Sequence, residues 1–190
     1  QALNLLDIEN KNNVCVINKK LENNVFLGDN ALGKNINIKY VRRIIMVNLE
    51  KALVKDAKEL LAVQKKCFEN YSIKYGDFES NPYHMTLHRM EFNLKYKFGN
   101  YYKVVDFQTD KIIGGIFIFE LDNPNIMQIA QFYIVEEYRH MGIGRMIFEA
   151  VLDKHSNVHT WYVDTILEED HNVNFYKQAG FVELEKEEEE

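Results

Sequence analysis

The sequence predicts a mixed α/β fold of the α+β kind, with a mainly antiparallel central sheet flanked by helices. Three observations carry the prediction. Three consecutive strand-like segments, 101–106, 111–121 and 127–135, are separated only by the turn sequences Phe107–Asp110 and Asp122–Asn125. Helical periodicity lies before and after this meander and does not alternate with every strand, so a regular βαβ architecture is excluded. The 190 residues, 46% of them hydrophobic, suit one compact domain with an appendage.

Composition removes several function classes. A chain with 13% aromatic and 27% charged residues is neither disordered nor fibrous. The longest apolar run, Ile112 to Phe119, contains two glycines and falls well short of the roughly 20 residues of a membrane span. Gln1 to Asp7 lacks the basic and long apolar regions of a secretory signal. Cys15 and Cys67 form no disulfide framework or metal spacing, and read as reduced thiols of a cytoplasmic protein. A net charge of −6 argues against nucleic acid as a partner, and no membrane partner is expected either.

Residues 1–45 read as an extension. They hold ten asparagines and seven basic against four acidic residues, whereas 16 basic and 25 acidic residues follow. Val14–Ile17 and Asn24–Leu27 are candidate short strands there. A core domain over 46–186 follows, and an acidic tail over 187–190 ends the chain.

Within the core, Val47–Ala52 reads as a strand. Asp56 and Glu59 have capping-box spacing ahead of a helix whose apolar face is Ala57, Leu60, Leu61, Val63, Cys67 and Phe68. Tyr71–Ser80 reads as a polar loop. Asn81-Pro82 opens a second helix with Tyr83, Leu87, Met90 and Leu94 as its buried stripe, since proline at the first position loses no hydrogen bond. After the meander come a helix over 142–155, a strand over 159–164, a helix over 171–178 stopped by Gly180, and a strand over 181–184.

The chemistry-bearing segment is Arg139-His140-Met141-Gly142-Ile143-Gly144. Its glycines stand between a strand and a helix, where a missing Cβ lets backbone approach a ligand. The helix start offers unpaired N–H groups and the positive dipole end, together an anion site suited to a pyrophosphate. Arg139 and Arg145 add positive charge. The preceding strand ends an antiparallel meander, so the dinucleotide-fold reading fails its context. No G-x-x-x-x-G-K-[ST] occurs, which excludes a nucleoside-triphosphatase P-loop.

With Ile134 to Gly144 matching Arg/Gln-x-x-Gly-x-Gly/Ala after a strand, and Asn174-Phe175-Tyr176 followed by Gly180-Phe181 about 30 residues on, the sequence resembles the GNAT superfamily of N-acetyltransferases over roughly 47–184. The resemblance implies acetyl transfer from acetyl-CoA to an amine acceptor, a small molecule or a peptide, in a ternary complex. It implies that backbone N–H groups of Met141, Gly142, Ile143, Gly144 and Arg145 hold the pyrophosphate, with Arg139 and His140 also among the cofactor-binding residues. Tyr133, Ile134 and Val135 would pair with the pantetheine arm, one N–H polarising the acetyl carbonyl. Tyr176 matches the tyrosine that protonates the leaving thiolate. A catalytically silent acyl-CoA sensor of the same fold is the alternative function.

The sequence also departs from that pattern. Glu136 replaces a common proline and His140 a common glycine. Glu169 stands where the family often has a cofactor-touching asparagine, leaving Asn172 or Asn174 as substitutes. One strand, not two, follows the last helix, which leaves an exposed edge. The extension is expected to cover it through Val14–Asn18 or Asn24–Leu27; the other route is a neighbouring subunit, making a homodimer.

An amine acceptor must lose a proton. Glu120, ending the middle strand of the meander, is the candidate base, with Glu79, Asp164 and Glu168 as rivals; a solvent-facing strand-end glutamate is the plainer reading. The resemblance implies an acceptor wall from Tyr71–Ser80 and the second helix, aromatic through Tyr71, Tyr75, Phe78, Tyr83 and His84 and acidic through Asp77 and Glu79. His84 and His88 have i, i+4 spacing, but no metal is expected, because a third ligand and a supporting shell are missing.

Overall fold

A computed structural model describes residues 13–19, 36–40, 43–76, 81–166 and 168–184, with side chains from Val47 onward. The element order is β1 (Asn13–Lys19), β2 (Ile36–Tyr40), β3 (Arg43–Lys51), α1 (Ala57–Tyr75), α2 (Leu87–Lys95), β4 (Gly99–Asp106), β5 (Lys111–Glu120), β6 (Ile126–Ile134), α3 (Ile143–Lys154), β7 (Thr160–Ile166), α4 (Asp170–Gln178) and β8 (Phe181–Glu183). This is the mixed, mainly antiparallel sheet with flanking helices that the meander predicts.

Two compact units share the chain. The larger holds β2 through Ile118 and Gln131–His155. Its strands neighbour one another in the order β2-β3-β4-β5-β6. β3 pairs antiparallel with β2 and with β4, from Val47↔Asp106 to Lys51↔Tyr102. β5 is buried without interruption from Ile112 to Ile118, which explains why its sequence is a continuous apolar run and not an alternating one. Leu60, Met90, Ile116 and Ile147 are fully buried in this unit, each contributing about 1.5–3 kcal/mol through removal from water. At the C-terminus of α3, His155 Nε2 lies 2.9 Å from Tyr102 Oη. Burial, helped by Lys154 and Lys51, lowers the His155 pKa to about 4.

The smaller unit holds β1, Phe119–Ala130 and Ser156 onward. Its strand order is β6-β7-β1-β8. β6 and β7 run parallel, and their ladder joins Ile126–Ile129 to Thr160–Val163. β6 continues beyond this ladder to Ile134. β1 pairs antiparallel with β7 along its whole length, Asn13↔Ile166 to Lys19↔Thr160, and through Val16–Asn18 with β8. The Val14–Asn18 segment therefore supplies a strand, but between β7 and β8 and not on an outer edge. The other candidate strand, Asn24–Leu27, lies outside the described residues.

Four local expectations are corrected. The capping box does not form: Asp56 makes no side-chain cap to α1. Its Oδ2 accepts from Leu53 N at 2.8 Å and its Oδ1 from Lys103 Nζ at 3.1 Å, while Glu59 Oε1 accepts from Ile112 N at 3.1 Å. Asp56 is shared between a local backbone donor and tertiary Lys103, and Glu59 goes to a tertiary one. α1 runs on through Tyr75 into the expected loop, stopping at Gly76, whose φ of 61° suits a residue without Cβ. On its inner face Gln64 and Ser72 are buried, whereas Leu61, Val63 and Phe68 are only half-buried. Pro82 opens only a 3₁₀ turn, Pro82–His84; α2 begins after a break, with Thr86 Oγ1 accepting from Arg89 N at 3.2 Å.

Candidate active site

The larger unit carries the glycine-bearing loop. Tyr133 and Ile134 end β6, Val135 follows it, and all three are buried. Val135 N donates to Ile113 O at 2.9 Å, toward β5. Because successive strand residues point their polar groups to opposite sides, the N–H of Ile134 points away from β5. A short 3₁₀ turn, Glu136–Tyr138, leads into Arg139, and α3 then starts at Ile143.

Three side-chain contacts strap this loop. Arg139 Nε donates to Ile134 O at 2.8 Å. Tyr138 Oη donates to Asp106 Oδ2 at 2.5 Å. Lys66 on α1 pairs with Glu137 at 2.5 Å, an exposed pair that adds little stability. Burial opposes the Asp106 charge, but hydrogen bonds from Tyr138, Gln108 and Thr109 outweigh it and hold the carboxyl below its ordinary value. Burial pushes the Cys67 thiol up, with Arg139 opposing. Arg139 thus holds the loop to the strand end, and Arg145 pairs along its own helix with Glu149 at 2.8 Å.

Two residues of the loop are left-handed: His140 at φ 59° and Gly142 at φ 77°. The common glycine at position 140 would meet this requirement without strain, and histidine is among the residues that tolerate it. Gly142 is the N-cap of α3 and makes no side-chain cap, so the first N–H groups of the helix have no such partner from the cap residue. A Cβ on Gly142 would meet nothing within 4 Å, so its φ alone explains the glycine. Met141 is half-buried, Ile143 buried, Gly144 half-buried and Arg145 exposed. A strand end, a strapped turn and a helix start without a side-chain cap from its N-cap residue lie together here, the kind of helix start whose N–H groups and dipole favour an anion.

Residues 57–181 match the family model described as the acetyltransferase (GNAT) family. The chain belongs to the GNAT acetyltransferase family. Solved structures share the fold. A mutant of a Bacillus halodurans protein is 24% identical with a TM-score of 0.62, over 75% of this chain and 96% of that one. A GNAT-family acetyltransferase from Staphylococcus aureus is 19% identical with a TM-score of 0.61, over 76% of this chain and 89% of that one. PaiA N-acetyltransferase from Thermoplasma acidophilum, solved in complex with coenzyme A, is 14% identical with a TM-score of 0.59, over 72% and 89%. No curated protein matches the sequence.

The second GNAT landmark lies in the smaller unit. Tyr176 on α4 is buried and packs edge-on against Phe175 and Phe181, with centroids 5.2 and 5.7 Å away. Burial, with the negative charge of Asp164 adding to it, raises the Tyr176 pKa well above the ordinary phenol value. Gly180, at φ 88°, follows α4, its N–H donating to Lys177 O at 3.1 Å. Asn174 is exposed, and Asn172 and Glu169 are half-buried. Glu120 ends β5 half-buried, and Asp164 and Glu168 are exposed. Asp164 Oδ2 accepts from Gln128 Nε2 at 2.6 Å. Glu79, Asp77 and Phe78 lie outside the described residues.

On the expected acceptor wall, Tyr83 and His84 occupy the 3₁₀ turn after Asn81, whose Oδ1 accepts from Tyr83 N at 2.9 Å. His84 Nε2 shares a hydrogen bond with Ser72 Oγ at 2.8 Å. His88 belongs to α2, so the break between the two elements removes the shared helical face that i, i+4 spacing assumed. Among the described residues, no three His, Cys, Asp or Glu side chains group as a metal site needs, and no helix is long and apolar enough to cross a membrane.

Gly114 and Gly115 were not among the residues singled out by sequence. A Cβ on Gly114 would lie 2.4 Å from Tyr133 O, and one on Gly115 would lie 2.7 Å from Tyr133 Oη. They let β5 and the Tyr133 region approach closely. Two glycines in mid-strand are the signal that could have found them.

Proposed function

We propose that this chain is an acyl-CoA-dependent N-acetyltransferase that moves acetyl from acetyl-CoA to an amine by direct attack in a ternary complex. The observation that carries the reading is Gly142: left-handed, without a side-chain cap, at the start of α3 behind a strapped loop. Backbone N–H groups from Met141 to Arg145 hold the pyrophosphate, the pairing that a helix start favours. The end of β6 beyond its ladder with β7 pairs with the pantetheine amides, and the Ile134 N–H polarises the acetyl carbonyl. The coenzyme A bound to the Thermoplasma acidophilum relative supports the cofactor class.

In the reaction, the amine nitrogen attacks the thioester carbon and the C–S bond breaks. Glu120 takes the amine proton, and Tyr176 gives its hydroxyl proton to the departing sulfur. A tyrosine hydroxyl carries its proton at neutral pH, as an acid requires, and burial moves the Tyr176 pKa further in the same direction. The test is thiol release from acetyl-CoA with a panel of amines, beside calorimetric titration of CoA. Turnover with at least one amine is expected, falling about 10²-fold or more in Tyr176→Phe, the usual scale for a lost general acid. In Glu120→Gln the rate is expected to fall and its pH profile to shift; neither change would remove Glu120 as the base. Binding without release for any amine would make the chain a CoA-binding module. No binding would end both readings.

A further inference from the structure

Gln64 sits inside the helix face expected to be apolar, and it is fully buried at 0% exposure. A buried amide needs partners for both ends. Its Nε2 donates to Pro82 O at 2.8 Å and reaches Met85 Sδ at 3.4 Å. Its Oε1 accepts from Tyr101 Oη at 3.2 Å. Tyr101 Oη lies 2.9 Å from Tyr133 Oη and 3.4 Å from Gln131 Oε1. Tyr133 Oη has Leu60 O at 3.4 Å as its other acceptor.

Proton counting gives the chain a direction. Tyr101 has one proton, and both glutamine oxygens near it only accept. It therefore donates to a glutamine and accepts from Tyr133. The run is Tyr133 to Tyr101 to Gln64 to the Pro82 carbonyl. Burial raises both phenol pKa values far above neutrality, so the run stays uncharged. Gly115 makes room for it, since a Cβ there would also crowd Tyr101 Cε1 at 3.1 Å.

We propose that this buried run positions the Pro82–His84 turn against the end of β6, with Tyr101 as the positioning residue at its crossing. The proposal rests on the function above, in which β6 holds pantetheine, and on the expected acceptor wall, to which Tyr83 and His84 of this turn belong. CoA pairing with β6 steadies Tyr133 and Gln131, and the hydrogen bonds pass that order to Pro82, so the donor prepares the acceptor wall before the amine arrives.

Hydrogen–deuterium exchange across 81–86, with and without CoA, tests this in the full chain. In the unmodified protein CoA is expected to slow exchange several-fold at His84 and Met85, whose N–H groups donate to Asn81 O and Pro82 O. Tyr101→Phe removes one hydroxyl; its CoA affinity should stay within about threefold, and the CoA-dependent slowing should vanish. Gln64→Met breaks the run at a second point and should behave alike. A merely structural loss would speed exchange equally with and without CoA, which would overturn the proposal. So would CoA that binds without slowing exchange at 84 and 85, or slowing that survives both substitutions. A chain that does not bind CoA at all fails the proposed function first, and calorimetry separates that result from the others.

Discussion

The glycines of β5 and the glycine that opens α3 solve opposite problems. Gly114 and Gly115 have crowded surroundings, and the 2.4 Å approach to Tyr133 O is one no side chain permits. Gly142 has open space around it and an unusual φ of 77°. The first pair serves packing, and the second serves backbone direction at an exposed loop. The same letter in a sequence therefore reports two constraints, and substitution separates them: crowding should appear as lost stability, and direction as lost ligand affinity.

Gly114→Ala should have the largest effect. The neighbouring atom is backbone and cannot swing aside, so the loss should be about 3 kcal/mol, the upper end of ordinary overpacking. For a chain of this size that is a fall in Tm of roughly 6–12 °C. A melt unchanged from the parent would mean that the close approach is wrong. Gly115→Ala presses mainly on Tyr133 Oη and Cζ, at 2.7 and 2.9 Å. A side chain can yield in part, so about 2 kcal/mol and roughly 4–8 °C are expected in the same melt.

Gly142→Ala meets no atoms, so its stability loss should be only about 1 kcal/mol, the left-handed penalty. Its CoA affinity should weaken by about tenfold, equivalent to about 1.4 kcal/mol, measured by calorimetry. Gly76→Ala is the matched control. It too is left-handed with nothing within 4 Å, but it ends α1. It should lose about 1 kcal/mol and leave CoA binding unchanged. Equal CoA affinities in these two variants would remove the Gly142 backbone from the site.

This contrast also explains what was legible in the sequence. The meander, α3, α4 and Gly180 declared themselves through period, turn chemistry and motif, because local rules govern them. Gly142 was legible because its constraint is local too. Gly114 and Gly115 were not, since their reason is an atom on another strand. Gln64 hid for the same cause: its partners stand 18 and 37 positions away in sequence. Asp56 and Glu59 misled because donors outside the helix outcompeted its N–H groups. The break after His84 was missed because proline signals a start and says nothing of how long the turn persists.

β1 has a consequence in time. It lies between β7 and β8, yet Asn13 is made about 150 residues before its partner Ile166. At about 5–20 residues per second, the strand waits roughly 8–30 s during synthesis for the segments it joins. Until then its hydrogen-bonding edges have only water or a stranger to pair with, so a slow ribosome lengthens the interval in which this sheet is open to mispairing.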